Sequence, residues 1–222
     1  MSPSHATARR RTPQHLAHHF VSAEQQFEAS VLGTWIFLVT EIMFFGGLFM
    51  AYILYRSRYP EVFAAASHHL DVRLGTINTA VLIASSFTMV LAVHNAQLGR
   101  IRRLILFLLA TMGLGSTFLI IKAVEYHHKY VDGLLPGPLF SYAGPDARQA
   151  ELFFSVYFAM TGLHALHMVI GVGLLGWLVL SALRGRYGAA YYTPVECTGL
   201  YWHFVDVVWI FLFPLLYLIG RH

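Results

Sequence analysis

The amino-acid sequence predicts an all-α integral membrane protein, a bundle of five transmembrane helices, and three observations support this prediction. The chain of 222 residues is 57% hydrophobic and only 12% charged, with a mean hydropathy of +0.58. A soluble domain is about 25% charged, so most of this chain must be solvated by lipid. Five apolar segments can each cross a hydrocarbon core, which takes about 20 helical residues. These segments are uniformly apolar rather than alternating, which favours helices over a β-barrel.

The predicted spans follow a polar start. Residues 1–28 contain three consecutive arginines and show no apolar periodicity, so we interpret them as a flexible basic tail. Residues 29–222 form a single membrane domain with predicted spans at 30–55, 74–98, 104–126, 150–183 and 198–219. Glu41 is the only charged residue of the first span, and the second span has none.

The distribution of basic residues predicts the orientation of the chain. Eight Lys and Arg residues lie in the tail and the loops on its side of the membrane, against seven on the other side. Three of the eight, Arg100, Arg102 and Arg103, are crowded into one very short turn. Basic residues beside short loops count most for orientation. We therefore expect a cytoplasmic N-terminus and a C-terminus on the periplasmic or outer side.

Composition also argues against several functional classes. A single cysteine, Cys197, excludes an internal disulfide framework and a thiolate metal site made by this chain alone. The formal charge of +4 is spread through the loops of an apolar chain, which argues against nucleic-acid binding. The chain has no internal repeat, so an inverted-repeat transporter is not favoured.

Glu41 is the first candidate functional residue, because it lies near the middle of the first span. An ionisable group in a membrane helix costs roughly 2.5–3.5 kcal/mol on insertion scales, so such groups are rare and usually functional. Desolvation favours the neutral acid. The nearest candidate partners are His164 and His167, one turn apart in the fourth span, and we expect the three residues to form a buried polar cluster. The alternative is a protonated Glu41 that simply hydrogen-bonds a neighbouring helix.

The same histidine pair raises the possibility of a haem or copper site. His164 and His167 lie on one face of one helix, whereas the two ligands of a bis-histidine haem approach from opposite faces. Copper would need a third ligand, and no thiolate is close in the sequence. We therefore predict no metal ligands in this chain.

The last span opens on a polar pair, His203 and Asp206, which are i,i+3 neighbours on a helix. Trp202 and Trp209 lie two turns apart on the same helix, and taken alone the run is typical of an aromatic anchor at the membrane interface. Glu196, at the predicted start of this helix, suits the positive end of the helix dipole. We expect these residues to fix the last helix, with the polar pair near its cytoplasmic end.

Two further pairs are assigned to the interface. Arg184 and Arg186, after the fourth span, are candidates for binding anionic lipid head groups. Glu125 and Tyr126, at the end of the third span, are interpreted as an interfacial anchor, and Lys122 is counted with the basic residues of the outer side.

Three blocks of sequence resemble subunit III of the haem–copper respiratory oxidases, as in cytochrome c oxidase. Residues 40–47 (TEIMFFGG) look like the segment that holds the family's buried, carbodiimide-reactive glutamate. Residues 162–171 (GLHALHMVIG) resemble its paired-histidine helix, and residues 201–209 (YWHFVDVVW), preceded by Glu196, resemble its closing motif. Residues 78–86 (NTAVLIASS) and Glu125–Tyr126 fall in order between them. The resemblance covers about residues 33–220 and corresponds to the short, five-helix form, which lacks the first two helices of the seven-helix members.

The resemblance implies a non-catalytic structural or accessory subunit of a proton-pumping terminal oxidase in aerobic respiration. Such a subunit carries no redox centre; haem and copper belong to partner subunits. It packs on the catalytic subunit I in a complex with subunit II and others, and supports proton uptake, lipid binding and oxygen access. Bound phospholipid and a location in the bacterial cytoplasmic membrane are expected. Because two helices that frame the family's phospholipid cleft are lacking here, the presence of that cleft depends on another subunit.

Other functions remain open at this stage. The chain could be subunit III of a quinol oxidase, or a homologue associated with nitric oxide reductase. From a different class, it could be a small proton conductor that uses Glu41 and the histidines. A third possibility is a membrane cytochrome that binds haem through His164.

Overall fold

The five predicted membrane helices are present. The computed structural model describes residues 20–138, 140–142, 144 and 146–218. Its helices are α1 (Ala23–Arg58), α2 (Pro60–Ser67), α3 (Val72–Gln97), α4 (Ile101–Val131), α5 (Ala147–Leu183) and α6 (Thr193–Phe213), followed by a π-helical turn (Pro214–Leu218). Within this described part, α1, α3, α4, α5 and α6 with its π-helical turn are long and apolar enough to cross a membrane. The fold class predicted from the sequence is confirmed.

Several helices extend beyond the predicted spans. Helix α1 begins at Ala23, so residues 23–28, assigned above to the tail, are helical. Residues 1–19, with the three arginines, lie outside the described residues. Helix α4 continues to Val131, and α6 begins at Thr193 rather than near residue 198. Hydropathy marks only the part of a helix that lipid must solvate, so these polar extensions carry no apolar signal.

Local sequence explains where the helices begin and end. The Ser22 hydroxyl accepts a hydrogen bond from the Gln25 N–H at 3.1 Å and caps α1. Asp71 caps α3 by accepting from the N–H groups of Arg73 and Leu74 at 2.8 and 3.2 Å. The short turn between α3 and α4 depends on Gly99, whose φ of +67° is a conformation that only glycine adopts at little cost.

Helix α6 lies at the centre of the bundle. It packs against α1, α3 and α5, while α4 packs against α3 and α5. Trp202 and Trp209 of α6 are fully buried. Helix α1 is peripheral, because its only buried residues, Leu38, Phe45 and Tyr52, form one narrow stripe seven residues apart. Most of the surface of α1 is therefore left for lipid or for another protein.

Trp202 is seated between two helices at positions where both carry glycine. A Cβ atom at Gly115 of α4 would lie 2.6 Å from the Trp202 ring, and one at Gly171 of α5 would lie 2.8 Å from it. Such close packing through small residues is how helices associate in lipid, where apolar burial alone gives little driving force. Trp202 thus fixes the position of α6 against α4 and α5.

Candidate functional site

The first polar site joins α1 to α5 through Glu41 and His167. The imidazole Nε2 of His167 lies 3.0 Å from the Glu41 Oε2. The Nδ1 of the same ring lies 2.9 Å from the Leu163 carbonyl, one turn earlier in α5. The Tyr201 hydroxyl of α6 donates to the His167 carbonyl at 3.0 Å. The site is therefore held by three helices.

These contacts decide how protons are arranged in the pair. The Leu163 carbonyl can only accept, so the His167 Nδ1 must carry a proton. Two arrangements then satisfy the contact at Nε2. Either a neutral Glu41 donates to a neutral imidazole, or an imidazolium donates to the Glu41 carboxylate. The two forms differ only in the position of one proton, so this contact can hold and move a proton between the two side chains.

A cavity of about 600 Å³ opens beside this pair, between α1, α5 and α6. Its wall runs along α1 from Ser30 to Glu41, and it includes Cys197 and Tyr201 of α6. The Glu41 side chain is 17% exposed, so it is reached from this cavity although it lies inside a membrane span. The cavity is largely apolar, and Glu41 and His167 lie at the end away from Ser30.

The structure does not bring His164 to Glu41 and His167. Its ring faces α4 and α6 instead of α1, and the rings of Phe118 and Trp209 are each 5.3 Å away, centroid to centroid. His164 is fully buried, and neither of its nitrogens has a hydrogen-bond partner. The expected cluster of three is thus a pair, Glu41 and His167, with His164 apart. Nor do the two histidines form a haem ligand pair, because both nitrogens of His167 are already engaged.

A second polar cluster, which the sequence analysis did not predict, lies inside the bundle. Lys122 and Glu125 of α4 are 2% and 1% exposed, and the Lys122 Nζ lies 3.0 Å from the Glu125 Oε2. Lys122 also donates to the hydroxyls of Tyr157 and Tyr217 at 3.2 and 2.9 Å. Both hydroxyls in turn donate to the Glu125 Oε1, at 2.9 and 2.6 Å. We call these four residues the inner cluster.

The inner cluster satisfies its charges completely. An ammonium group has three donors, and each of the three donors of Lys122 has an acceptor in the cluster. The Trp209 ring adds a cation–π contact, with its centroid 5.2 Å from Nζ. The interpretation of Glu125 as an interfacial anchor is therefore wrong, and Lys122, counted above with the outer-side loop charges, is buried inside the bundle. The signal that could have revealed the cluster is the i,i+3 spacing of opposite charges in an otherwise apolar helix.

The two tryptophans of the last helix point into the bundle rather than towards an interface. The Trp202 Nε1 donates to the Ser85 hydroxyl at 3.1 Å, and the Trp209 Nε1 donates to the Thr79 hydroxyl at 3.0 Å. Both partners lie on α3. The indole N–H groups thus anchor α6 to α3, and the interpretation of these residues as an interfacial anchor is wrong.

His203 and Asp206 lie next to the two tryptophans on α6 and also face α3, at the edge of the contact between the two helices. The His203 Nδ1 pairs with the Ser86 hydroxyl at 2.7 Å. Asp206 is 3% exposed, and neither carboxylate oxygen has a hydrogen-bond partner. Asp206 lies near the middle of the helical stretch Thr193–Leu218. The Glu196 Oε2, nearly three turns earlier, is also buried without a partner.

The remaining predicted residues are on the surface. Arg184 and Arg186 follow the end of α5 and are exposed. The start of α1 lies at the same end of the bundle, since the Phe27 ring is 6.2 Å from that of Tyr192, next to the start of α6. No group of three or more His, Cys, Asp or Glu side chains among the described residues is placed to hold a metal ion.

Comparison with known proteins gives one consistent result. A family model described as cytochrome c oxidase subunit III matches residues 14–221. The chain is 34% identical to a cytochrome c oxidase subunit 3 of Thermostichus vulcanus, over 90% of this chain and 92% of that protein. It is 28% identical to a quinol oxidase subunit 3 of Bacillus subtilis, with 93% and 98% covered. It is 32% identical to a cytochrome bo(3) ubiquinol oxidase subunit 3 of Pseudomonas aeruginosa, with 86% and 85% covered.

Proposed function

This chain belongs to the cytochrome c oxidase subunit III family, and we propose that it is a non-catalytic accessory subunit of a proton-pumping haem–copper terminal oxidase. The observation that carries the proposal is the match of the family over residues 14–221, nearly the whole chain. In this role the chain packs on the catalytic subunit, which holds the haem and copper, together with subunit II. The complex lies in a bacterial cytoplasmic membrane and transfers electrons to oxygen.

Two features of the chain fit a supporting role better than a catalytic one. The inner cluster is closed on itself, since its charged groups are bound to one another and shielded from both lipid and water. The Glu41–His167 pair can exchange a proton but offers no set of metal ligands. The chain therefore supplies rigid packing and one proton-holding contact, while electron transfer is left to its partners.

We propose that the cavity beside Glu41 holds the acyl chain of a phospholipid. The cavity is mostly apolar and extends along α1 from Ser30 to Glu41. Its Ser30 end lies at the end of the bundle where Arg184 and Arg186 are exposed, and basic side chains attract anionic head groups there. The charge distribution of the loops supports a cytoplasmic location for this end, with the N-terminus on the same side. A lipid in this cavity would keep the Glu41–His167 pair away from bulk water.

The oxidase role is tested by purifying the affinity-tagged chain in mild detergent. We expect large partner polypeptides to purify with it, and the visible spectrum of the preparation to show haem. Removal of the chain from that complex should leave the haem spectrum of the remaining subunits unchanged. A preparation without haem absorbance and without a large partner would overturn the proposal.

A quinol oxidase is the second candidate, because relatives named for quinol oxidation match 93% and 86% of this chain, a share similar to the 90% matched by the relative named for cytochrome c. The accessory role is the same in both cases. Oxygen consumption by the purified complex distinguishes the two, since one complex responds to reduced cytochrome c and the other to a quinol.

The Glu41–His167 pair is tested by labelling with a hydrophobic carbodiimide, which modifies neutral carboxyl groups in apolar surroundings. We expect the label on Glu41, because the cavity admits the reagent and one form of the pair has a neutral acid. Peptide mass spectrometry locates the label, and Glu41→Gln serves as the control. Labelling confined to exposed loop carboxylates such as Asp132 and Asp146 would contradict the prediction.

A further inference from the structure

A polar groove runs along the outside of the bundle between α3 and α6. Two adjoining cavities of about 410 and 350 Å³ form it, and they share Val90 and His203. Its polar side chains come from both helices, and they are Ser86, His94, Gln97, Glu196, His203 and Asp206. We call it the α3–α6 groove. It is separate from the Glu41 cavity, which lies between α1, α5 and α6.

The carboxylates of this groove lack hydrogen-bond donors. Asp206 has two buried oxygens without a partner, and Glu196 has one. These three are the only buried carboxylate oxygens without a partner in the part of the chain that the structure describes. The Ser86 hydroxyl lies beside Asp206 and pairs with the His203 Nδ1 at 2.7 Å. When that nitrogen carries the proton and donates to Ser86, the hydroxyl proton of Ser86 is left for one oxygen of Asp206. One hydroxyl proton could not serve both oxygens of Asp206 in any case.

The depth of Asp206 limits what can supply the missing donor. Asp206 follows residue 198, where the apolar part of the last span begins, by eight residues, or about 12 Å at the helical rise of 1.5 Å per residue. This places it near the centre of a hydrocarbon core about 30 Å thick. A phospholipid head group stays at the surface of that core, and an acyl chain has no donor. A buried polar group without a partner costs about 1–3 kcal/mol, so the donor is expected to come from another protein.

The surroundings of Asp206 suit a helix of another protein. The rim of the groove around it is apolar and exposed, with the side chains of Ile83, Phe87, Val90, Val207 and Ile210. An apolar rim around a polar centre is the arrangement by which membrane helices associate, with the polar contact setting the register. A second copy of this chain, packed symmetrically through the same groove, would present the polar side chains of the groove itself, among them Gln97 and His203, but also a second Asp206 and a second Glu196. It would therefore add carboxylate oxygens without a partner along with any donor, whereas a helix of another protein can bring the donor alone.

We propose, on the basis of the oxidase role above, that the α3–α6 groove is the docking site for a transmembrane helix of the catalytic subunit. That helix carries a side chain with a hydrogen-bond donor, such as a hydroxyl, an amide, an indole or an imidazole, and places it against Asp206. The apolar rim packs on either side of this contact. The carboxylate thus fixes the depth and the rotation of the partner helix relative to α6.

The proposal is tested with a photo-crosslinking amino acid in the tagged chain of the assembled complex. Phe87, at the rim of the groove, and Phe44, on α1, have similar exposed fractions of 63% and 56% and form a matched pair. We expect crosslinking from position 87 to a membrane segment of the catalytic subunit. Sequencing of the crosslinked peptide should find a donor side chain within one helical turn. Position 44 should not crosslink to that segment.

Two variants of Asp206 test the hydrogen bond itself. Asp206→Asn keeps an oxygen that accepts the bond, so the subunit should stay in the complex during detergent washing. Asp206→Leu removes the acceptor, and we expect loss of the subunit to be about tenfold faster. The crosslinking experiment needs no change at Asp206, so it decides the matter even if Asp206→Leu does not accumulate.

The possible outcomes separate this proposal from the oxidase role. Crosslinks from position 87 only to lipid, or only to a second copy of this chain, in a preparation that still contains haem would overturn the docking site and leave the oxidase role standing. Equal retention of Asp206→Leu and the unmodified chain would do the same. If the unmodified chain purifies without haem and without a catalytic subunit, both proposals are wrong.

Discussion

The inner cluster and the α3–α6 groove both place carboxylates inside membrane spans, but they treat them in opposite ways. In the inner cluster, Glu125 receives hydrogen bonds from Lys122, Tyr157 and Tyr217. In the groove, Asp206 receives none, although it is almost as deeply buried. The first carboxylate has all its hydrogen-bond donors within this chain, and the second does not.

The difference separates polar residues that stabilise the bundle from those that need a hydrogen-bond donor from another protein. Buried polar groups that are fully satisfied make a structure rigid, whereas a buried group without a partner is costly. Glu125 belongs to the first kind and acts within the subunit. Asp206 belongs to the second kind, so its role is realised only when another polypeptide supplies the donor. The two sites lead to opposite expectations for the same kind of substitution.

The largest loss of stability is expected from a substitution in the inner cluster. Glu125→Leu leaves the Lys122 ammonium buried without its counter-charge, and breaking a buried ion pair in this way costs about 3–5 kcal/mol. We therefore expect the variant to unfold at a much lower temperature, or to be degraded before it assembles. Thermal unfolding of the purified subunit in mild detergent, together with its level in membranes, measures this.

The double variant Lys122→Met/Glu125→Leu is the control for this prediction. Replacing a buried ion pair by apolar side chains of similar volume is often close to neutral. The double variant should accordingly be more stable than Glu125→Leu alone. A double variant as unstable as the sum of the two single variants would show that the ion pair is not what Glu125→Leu disrupts.

A gain in stability of intermediate size is expected from a substitution in the groove. In the free subunit, Asp206→Leu removes buried oxygens that have no partner, and the free energy of unfolding should rise by about 1–3 kcal/mol. In the assembled complex the same substitution weakens retention, because there the acceptor is in use. Asp206→Asn keeps a polar group and should show no gain in the free subunit. A loss of stability in free Asp206→Leu would mean that Asp206 is already satisfied within this chain.

Part of the fold and of the polar sites could be predicted from the sequence. The five spans could be predicted because lipid requires about 20 consecutive apolar residues of any helix that crosses it. The pairing of Glu41 with a histidine of α5 was predictable from depth, since both are ionisable groups at mid-span. The separation of His164 from His167 was not, because it depends on which neighbouring helix each side of α5 meets.

The inner cluster could not be predicted from the sequence either. Lys122 and Glu125 are neighbours in sequence, but their two tyrosine partners come from α5 and from the π-helical turn after α6. Helix α4 also continues to Val131, so the pair lies inside the helix and not at its end. Hydropathy indicates whether a segment is solvated by lipid or by water, but not which side chains of other helices it contacts. For this reason the hydropathy pattern assigned Glu125 to the membrane interface.

The smallest expected effect is that of Ser86→Ala, which is compared with a substitution of its neighbour Ser85; the two serines of α3 bind different residues of α6. Ser85 is fully buried and accepts the hydrogen bond from the Trp202 indole, whereas Ser86 is half-buried and pairs with His203 in the groove. Ser85→Ala leaves a buried N–H without an acceptor, which costs about 1–3 kcal/mol. Ser86→Ala removes a hydrogen bond that water can partly replace, which costs about 0.5–1.5 kcal/mol. Thermal unfolding of the two variants measures both. A larger loss for Ser86→Ala would mean that the groove contributes to the folding of the free subunit, and the distinction between an inner cluster for folding and a groove for docking would no longer hold.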